Sequence, residues 1–585
     1  MSLSSNADKI FKMKYAQTKR NGNKEEWEQA CTRVAYHVAS AELNESDQLQ
    51  MLANFTKIML ERSFVPGGRV IANAGTNILN LMNCFVLPID DSRQSIYDSL
   101  GKAAEIFAWG GGIGYNFSKL RELGAPVSTT GGTASGPLSF MSLFDQTGEV
   151  ISQASRRGAQ MGMLNIDHPD IISFINFKNE LNNRNRRLMV DYIRNLELVG
   201  LDSDGAKYFD IMEKTLADDQ LTHFNISVAL TDEFMKAYDD HVSFHLRSVT
   251  SRDSVREYDA DYLMLLIAEN AWLSGDPGIF FIDRANEDNM VPYLGRIEAT
   301  NPCGEVPLLA HEPCCLGSIN LERFVEGKYV DFAYLEEVVR LAVRFLDNVH
   351  DVSHTQIDEI NNSARRTRRI GLGVMGWADM LAELGLAYDH EDAFILADIV
   401  SKIIQKEAWL TSMDLAEERG AFPAFLEEEV NWNLIDKLGL DRRPVRNVAV
   451  TSIAPTGSIS LISDVNSGIE PFFSHHYTRN ITEGIGNRAI DTLEQSAVSD
   501  SVKTAHEIHW KDHIRMQAAW QKWTCNAVSK TINMPNDASV DDIMEAYALA
   551  WELGCKGITV YRNGSRMFQI LEPKEKDDGK NTKVL

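Results

Sequence analysis

Apolar residues recur at helical spacing near the start of the chain. In EEWEQACTRVAYHVASAEL (25–43) and SDQLQMLANFTKIMLERSF (46–64) they fall three and four apart, which predicts two amphipathic helices. Residues 1–65 therefore read as a helical N-terminal segment, ended by a turn at Pro66-Gly67-Gly68. Beyond it the pattern changes. Short β-rich runs, RVIANAG (69–75), NCFVLPI (83–89), NVAVTSIAP (447–455) and GITVYR (557–562), alternate with long helical stretches such as YLEEVVRLAVRFLDNV (334–349). That alternation predicts an α/β fold around a central sheet. No linker, repeat or low-complexity tract interrupts residues 66–567, which read as one domain. Residues 179–222 are polar and read as a mobile excursion or insertion. Residues 568–585, ending EPKEKDDGKNTKVL, are charged and poor in apolar residues, and read as a disordered tail.

Composition narrows the function classes. The chain has 585 residues, 44% hydrophobic and 24% charged, ordinary values for a globular protein. Lys and Arg number 58 against 83 Asp and Glu, a net charge of −25. Long-range repulsion then opposes binding to nucleic acid or anionic membranes, so any phosphate ligand must be held by local donors. The opening, MSLSSNADKIFKMKYAQTKR, has no apolar core of a secretory signal, and no apolar run approaches the length of a membrane span. Seven cysteines, an odd number, are too few for a disulfide scaffold. The expectation is a cytoplasmic protein with reduced thiols, in which any disulfide is transient and catalytic.

Candidate chemistry starts at Asn301-Pro302-Cys303-Gly304-Glu305. In extended backbone, residues i, i+2 and i+4 share a face, which would line one wall with an amide, a thiol and a carboxylate. A carboxylate beside a thiol can serve as base for a substrate hydroxyl, and the amide can orient that hydroxyl. Cys314 lies eleven residues on, in HEPCCLGSIN, with Cys315 as its competitor; Cys84 lies far upstream in LMNCFVLP. Two distant thiols brought close would form a redox pair, whereas each alone reads as a small buried hydrophobe. Pro455-Thr456-Gly457-Ser458-Ile459 follows a β-like run and offers backbone N–H groups and hydroxyls to an anion, without the Lys of a Walker A loop. Gly110-Gly111-Gly112-Ile113-Gly114 reads as a close approach of backbone to a ligand or a neighbouring chain. His350 and His354, or His506, His509 and His513, have zinc-like spacing but no supporting Cys or carboxylate, so no metal site is expected. Arg365-Arg366-Thr367-Arg368-Arg369 leads into the apolar IGLGVMGWADML, and buried ion pairing or a helix face suits it better than nucleic acid.

Taken together, these pieces resemble the catalytic subunit of ribonucleotide reductase. The motifs include FVPGGRVIANAGT, NCFVLP, GGGIGYNFSKLR, RRGAQMGMLNIDHPDI, FNISVALTDEFM, ATNPCGEVPL, LGSINL, APTGSIS, SGIEPFF, NAVSKTIN and CKGITVYRNGSR, spread over nearly the whole chain. PGGR, GGGIGYNFS and KGITVYRNGSR look most like the adenosylcobalamin-dependent class. The resemblance implies a ten-stranded α/β barrel with the radical cysteine on a central loop. It implies that Cys303 becomes a transient thiyl radical, that Glu305 takes the 3′-hydroxyl proton, and that Asn301 hydrogen-bonds the substrate. It implies that Cys84 and Cys314 are the dithiol that becomes a disulfide, because the family pattern ExCxLGSINL falls on Glu312, Cys314 and Leu316. Residues 455–459 would hold substrate phosphates, with Gly68, Asn83 and Gly112 nearby. Asp91, Ser92, Arg93 and Arg121 would bind a deoxynucleotide or ATP specificity effector at a homodimer interface.

The sequence departs from the family in several places; the stretch 179–222 is longer than expected before FNISV, and Cys525 stands in TCNAVSKTIN where an acidic residue is more usual. The usual C-terminal cysteine pair is absent after Cys555, so either the chain is truncated or a thioredoxin-like external dithiol reduces the active-site disulfide directly. The segment before Pro66 does not resemble the family's ATP-cone, which implies specificity control without overall shut-off by dATP. In relatives fed by a metal-containing subunit, two adjacent tyrosines relay the radical. By register that place is taken here by Thr559-Val560, with Tyr561 one residue out of phase and expected on the other face. This favours adenosylcobalamin as the radical source. The alternatives are the same reaction with a radical from a separate metal subunit, or an inactive nucleotide-binding regulator.

Overall fold

The computed structural model describes residues 3–128, 131–153, 156–179, 224–482, 489–496, 502–565 and 571–573. The N-terminal segment is helical, as its periodicity predicts. Helices α1 (Ser5–Lys14), α2 (Trp27–Ala39) and α3 (Glu45–Leu60) carry it. Trp27, Ala30, Cys31, Val34, Ala35 and Val38 form the buried stripe of α2, and a capping box between Glu26 and Gln29 closes its first turn. On α3, Phe55 packs edge-on against Phe345, whose ring also meets Phe64. Phe345 sits on the long helix α4 (Phe332–Val352), so one ring ties the N-terminal segment to the rest; deleting such a ring costs about 3–5 kcal/mol.

Ten strands pair in one sheet. They are β1 (Phe64–Pro66), β2 (Cys84–Val86), β3 (Gly112–Asn116), β4 (Gln160–Asn165), β5 (Phe224–Leu230), β6 (Gly278–Phe281), β7 (Pro313–Asn320), β8 (Ile370–Met375), β9 (Thr531–Met534) and β10 (Gly557–Arg562). β2 through β6 run parallel to one another. β7 and β8 are parallel, as are β9 and β10. The two groups meet antiparallel, β2 against β7 and β6 against β10. Isolated bridges from Leu372 to Thr451 and from Ile453 to Val528 carry the pairing from β8 through the NVAVTSIAP run to the residues just before β9. The order of pairings therefore returns on itself. The long helices pack outside, as parallel strands joined by crossover helices require.

The sheet alternates strictly between faces. Asn225 and Ser227 on β5, Gly278 on β6 and Thr559 on β10 share the inner face, where the Cβ that Gly278 lacks would meet Ser227 Oγ at 3.1 Å and Thr559 Oγ1 at 3.4 Å. Ile226 and Val228 point outward into the buried layer.

Several expectations change. RVIANAG is not a strand: Gly68–Asn73 form a short helix, because Val70 and Ile71 bury as one turn beside Arg33 of α2. Leu571–Pro573, inside the stretch read as a tail, pairs with Arg479, Thr478 and Tyr477; residues 574–585 lie outside the described residues. The excursion expected at 179–222 also lies outside them, apart from Asn179.

Candidate active site

Cys84 begins β2 and Cys314 lies near the start of β7. Their antiparallel register sets them directly opposite each other, and Cys84 is also level with Gly112 on β3. Directly opposed residues have Cα atoms about 4.5–5.5 Å apart. Both thiols are buried and free. Cys315, one residue on, faces away, and its Sγ donates to the Leu346 carbonyl at 3.4 Å. The structure thus pairs Cys84 with Cys314 and leaves Cys315 on the outer side.

The segment 299–308 doubles back on itself, Ala299-Thr300 pairing with Pro307-Leu308. It is held from both groups of strands. Asn225 Nδ2 donates to the Pro302 carbonyl at 2.8 Å; Ala527 N and Ser452 Oγ both donate to the Glu305 carbonyl at 2.8 Å. The glycines of GGGIG explain themselves here. A Cβ at Gly114 would collide with the Thr300 carbonyl oxygen, and one at Gly112 would press within 2.9 Å of Pro302. The close approach is therefore to the chain's own loop.

Asn301, Cys303 and Glu305 do not meet by strand alternation. Gly304 N donates to the Asn301 carbonyl at 3.1 Å in a tight turn, and Gly304 takes φ +82°, a conformation glycine adopts without cost. Val306 N donates to Asn301 Oδ1 at 2.9 Å and fixes the amide, leaving Nδ2 to donate to Cys84 Sγ at 3.2 Å. A turn and not an extended run gathers these three residues.

The electrostatics follow from depth. Glu305 is buried, its Oε2 has no hydrogen-bond partner, and burial raises its carboxyl to about 7 against the downward pull of the Asn301 amide. Burial pushes the Cys84 thiol well up, and the fields of Glu305, Cys314 and Cys303 add to it, so all four groups converge on one space. Cys303 is exposed, yet burial raises its thiol too, with Glu305 adding. Both statements hold for a thiol at the floor of a recess, open on one side and crowded on the others.

The phosphate-turn candidates gather around the same strands. Gly112 N donates to the Asn83 carbonyl, Asn83 N to the Cys314 carbonyl, and Gly67 N to the Leu316 carbonyl. Gly68 begins the short helix beside them, with the Tyr15 ring against it. Pro455 follows Ser452, which holds Glu305, by three residues; Thr456 takes φ +52° and accepts from Gly468 N at 2.8 Å, and Ser458 leads into the helical turn Ile459–Ile462. α1 packs on that turn. Asp91, Ser92, Arg93 and Arg121 form a second group. Arg121 Nε donates to Asp91 Oδ2 at 2.7 Å, and Ser92 Oγ caps helix Arg93–Ala108 by accepting from Ser95 N.

Two comparisons bear on these arrangements. The family model described as the ribonucleotide reductase barrel domain matches residues 82–561, and the all-alpha domain of the same family matches residues 1–78. The chain belongs to the ribonucleotide reductase family. It is 42% identical over 550 residues to a vitamin B12-dependent ribonucleoside-diphosphate reductase of Mycobacterium tuberculosis (strain CDC 1551 / Oshkosh), covering 88% of this chain and 72% of that protein. The protein of the same name from Thermoplasma acidophilum is 39% identical over 548 residues, covering 88% of this chain and 66% of that one. A vitamin B12-dependent ribonucleotide reductase of Streptomyces clavuligerus is 29% identical over 570 residues, covering 84% and 58%.

In this ribonucleotide reductase family member the residues that hold the site were only partly readable beforehand. Asn225, Ser452 and Ala527 hold the 301–305 turn, and none was singled out. The signal available was the polar pair Asn225 and Ser227 at alternate positions of the apolar run FNISVAL, which marks the inner face. Beneath Cys314, Arg369 and Glu312 form a buried ion pair at 3.0 Å. The arginine run divides: Arg365 and Arg366 lie exposed on the helix Asp358–Thr367, and Arg368 and Arg369 form buried ion pairs. Arg368 meets Asp347 at 2.9 Å, and although burial alone would raise the Asp347 carboxyl, Arg368 and Arg446 outweigh it and hold it at about 2. His350 Nε2 contacts the Arg369 carbonyl and His513 Nε2 the Ala505 carbonyl; among the described residues no cluster of metal-ligating side chains occurs. On β10 Tyr561 lies on the opposite face to Val560, one residue away, and shares the inner face with Thr559, while Val560 points outward and is buried.

Proposed function

We propose that the chain reduces ribonucleotides to 2′-deoxyribonucleotides by thiyl-radical chemistry, with adenosylcobalamin as the radical source. The observation that carries this reading is the convergence of Asn301, Cys303 and Glu305 on the opposed thiols of Cys84 and Cys314. The names of the relatives, vitamin B12-dependent and acting on ribonucleoside diphosphates, support it and favour diphosphates as substrates.

The residue roles divide by environment. Cys303, as thiyl, takes the hydrogen atom from C3′ and returns it at the end. Glu305 takes the 3′-hydroxyl proton, which makes departure of the 2′-hydroxyl far easier from the C3′ radical than from a closed-shell sugar. A carboxyl near 7 is matched to that exchange. Cys84 and Cys314 supply the proton that leaves with the 2′-hydroxyl as water, and two electrons, and they end as a disulfide. Ribonucleotide and two thiols thus give deoxyribonucleotide, water and one disulfide. Asn301 orients the substrate hydroxyls. The turn 455–459 holds the substrate phosphates with backbone N–H groups and hydroxyls, and Gly68, Asn83 and Gly112 line the substrate nearby.

Adenosylcobalamin, when bound, supplies the homolytic bond cleavage from which the Cys303 thiyl derives. The chain's own residues fit it. Cys303 alone of the five site residues is exposed, so it can be approached while the dithiol stays covered. The neighbouring inner face at Ser227, Gly278 and Thr559 carries small side chains. His168 does not offer itself as a cobalt ligand, since Nε2 meets the Leu120 carbonyl and Nδ1 accepts from Asp170 N. Neither Thr559 nor Val560 can be oxidised at an accessible potential, which leaves the tyrosine relay without its dyad. Purified chain with adenosylcobalamin and a dithiol should reduce ribonucleoside diphosphates without a second protein. Activity that needs a di-metal partner, with cobalamin inert, overturns this assignment.

The remaining assignments complete the reading. A thioredoxin-like external dithiol reopens the Cys84–Cys314 disulfide between turnovers. Asp91, Ser92, Arg93 and Arg121 bind a deoxynucleotide or ATP effector at a homodimer interface. The cytoplasm, where thiols stay reduced, is the compartment; no described helix is long and apolar enough to cross a membrane. Arg121→Ala, which removes the guanidinium from Asp91, should flatten the change in substrate preference on adding effector while basal turnover stays within about threefold. Unaltered effector response would place the effector elsewhere. Glu305 is protonated below about 7, so its base form is lost on acidification, and kcat/KM should fall as pH drops through that value. Glu305→Gln should remove that acidic limb together with most of the activity.

A further inference from the structure

Against its charge of −25, the chain turns five cationic side chains into one cleft of about 460 Å³. Arg284 enters from just beyond β6 and Lys556 from just before β10; Lys437, Arg515 and Lys522 complete the set. None of Cys84, Cys303, Glu305 and Cys314 lines it. Against these five cations the cleft sets three carboxylates, Glu287, Asp288 and Asp398, of which Glu287 lies 4.0 Å from Arg284. Asp288 is held by Lys556 at 2.6 Å, and Asp398 by Lys522 at 2.7 Å while also accepting from Trp523 Nε1. Lys437 has neither: its Nζ donates to the Lys522 carbonyl at 2.7 Å, and among the described residues no carboxylate lies within ion-pair distance. Lys402, Lys437 and Lys522 crowd the ring of Trp523 at 4.8, 5.5 and 5.2 Å from its centroid. Three ammonium groups around one indole repel one another, and a bound anion relieves that repulsion. Burial pushes the Lys437 ammonium down; the field of Asp288, with that of Asp398, opposes the fall, and the fields of Lys556 and Lys522 add to it.

We propose that this cleft binds a small phosphate-bearing anion, of the oligophosphate or nucleotide class, with Lys437 as its main charge partner. Ammonium groups converging from separate elements match a multivalent tetrahedral anion better than a single carboxylate, which would meet one of them. The volume lies in the range of small-ligand sites, and Phe394 and the part-exposed Leu553 give it an apolar wall for the rest of a nucleotide. The proposal goes beyond the reductase reading and is tested without turnover.

Equilibrium dialysis of the full chain with inorganic pyrophosphate, and separately with ATP, at low and high salt, provides the test. One class of site should weaken with salt, lose at least about tenfold in affinity in Lys437→Glu and about threefold in Lys437→Gln, and be unaffected by Arg121→Ala. Thermal unfolding of both variants checks that the fold is kept, and the neutral Gln variant guards against mere disruption. Equal binding of both probes to Lys437→Glu and to the unaltered chain overturns the proposal. So does a loss confined to Arg121→Ala, or no binding of either probe at millimolar concentration.

Discussion

Cys303→Ala should abolish turnover, by roughly 10⁴-fold or more, the scale reached when a group that performs the chemistry is removed. Ribonucleotide affinity should stay within about threefold, because the substrate contacts proposed for the turn 455–459, Gly68, Asn83 and Gly112 are untouched. The structure makes this variant a clean one. Cys303 is exposed, and the turn is held by Asn225, Ser452 and Ala527 through the backbone of Pro302 and Glu305. Binding by equilibrium dialysis and turnover by product formation separate the two quantities. Turnover in the alanine variant above a hundredth of the unaltered rate would remove Cys303 from the chemistry.

Cys84→Ser and Cys314→Ser should each stop multiple turnover, whereas Cys315→Ser should keep it within about twofold while losing roughly 1 kcal/mol or more of stability from a buried hydroxyl. The reason is the register of β2 and β7. It opposes Cys84 to Cys314 on the inner face and sends the Cys315 thiol to the Leu346 carbonyl on the outer one. Quenching the enzyme after one turnover without reductant and mapping the disulfide by mass spectrometry should find Cys84 joined to Cys314. A Cys84–Cys315 bond, or full turnover by Cys314→Ser, would reverse the choice.

Much of this protein is written in local pattern. The α2 and α3 stripes, the β2 and β10 runs and the apolar face of α4 are set by residues within a few positions of one another, where apolar spacing and capping suffice. The same holds for the choice of Asn301, Cys303 and Glu305, since amide, thiol and carboxylate on one short segment already specify the chemistry they can share. RVIANAG shows the limit of local pattern. Its β-branched residues favour a strand, but contact with Arg33 from α2 makes it helical.

The sequence by itself determined the α/β class, the helical opening and the residue types proposed for the site. Only the tertiary structure decided how those types meet. Cys84 and Cys314 are far apart in the chain, and their opposition is a property of strand register, which no single segment encodes. The turn at Gly304 replaces the expected extended wall because Asn301 and Val306 bond across it. Tyr561 and Thr559 share the inner face because the sheet alternates about β10 as a whole. Glu305 near neutrality and the crowded lysines around Trp523 likewise depend on which distant groups are buried together, since desolvation and field act through space and not along the chain.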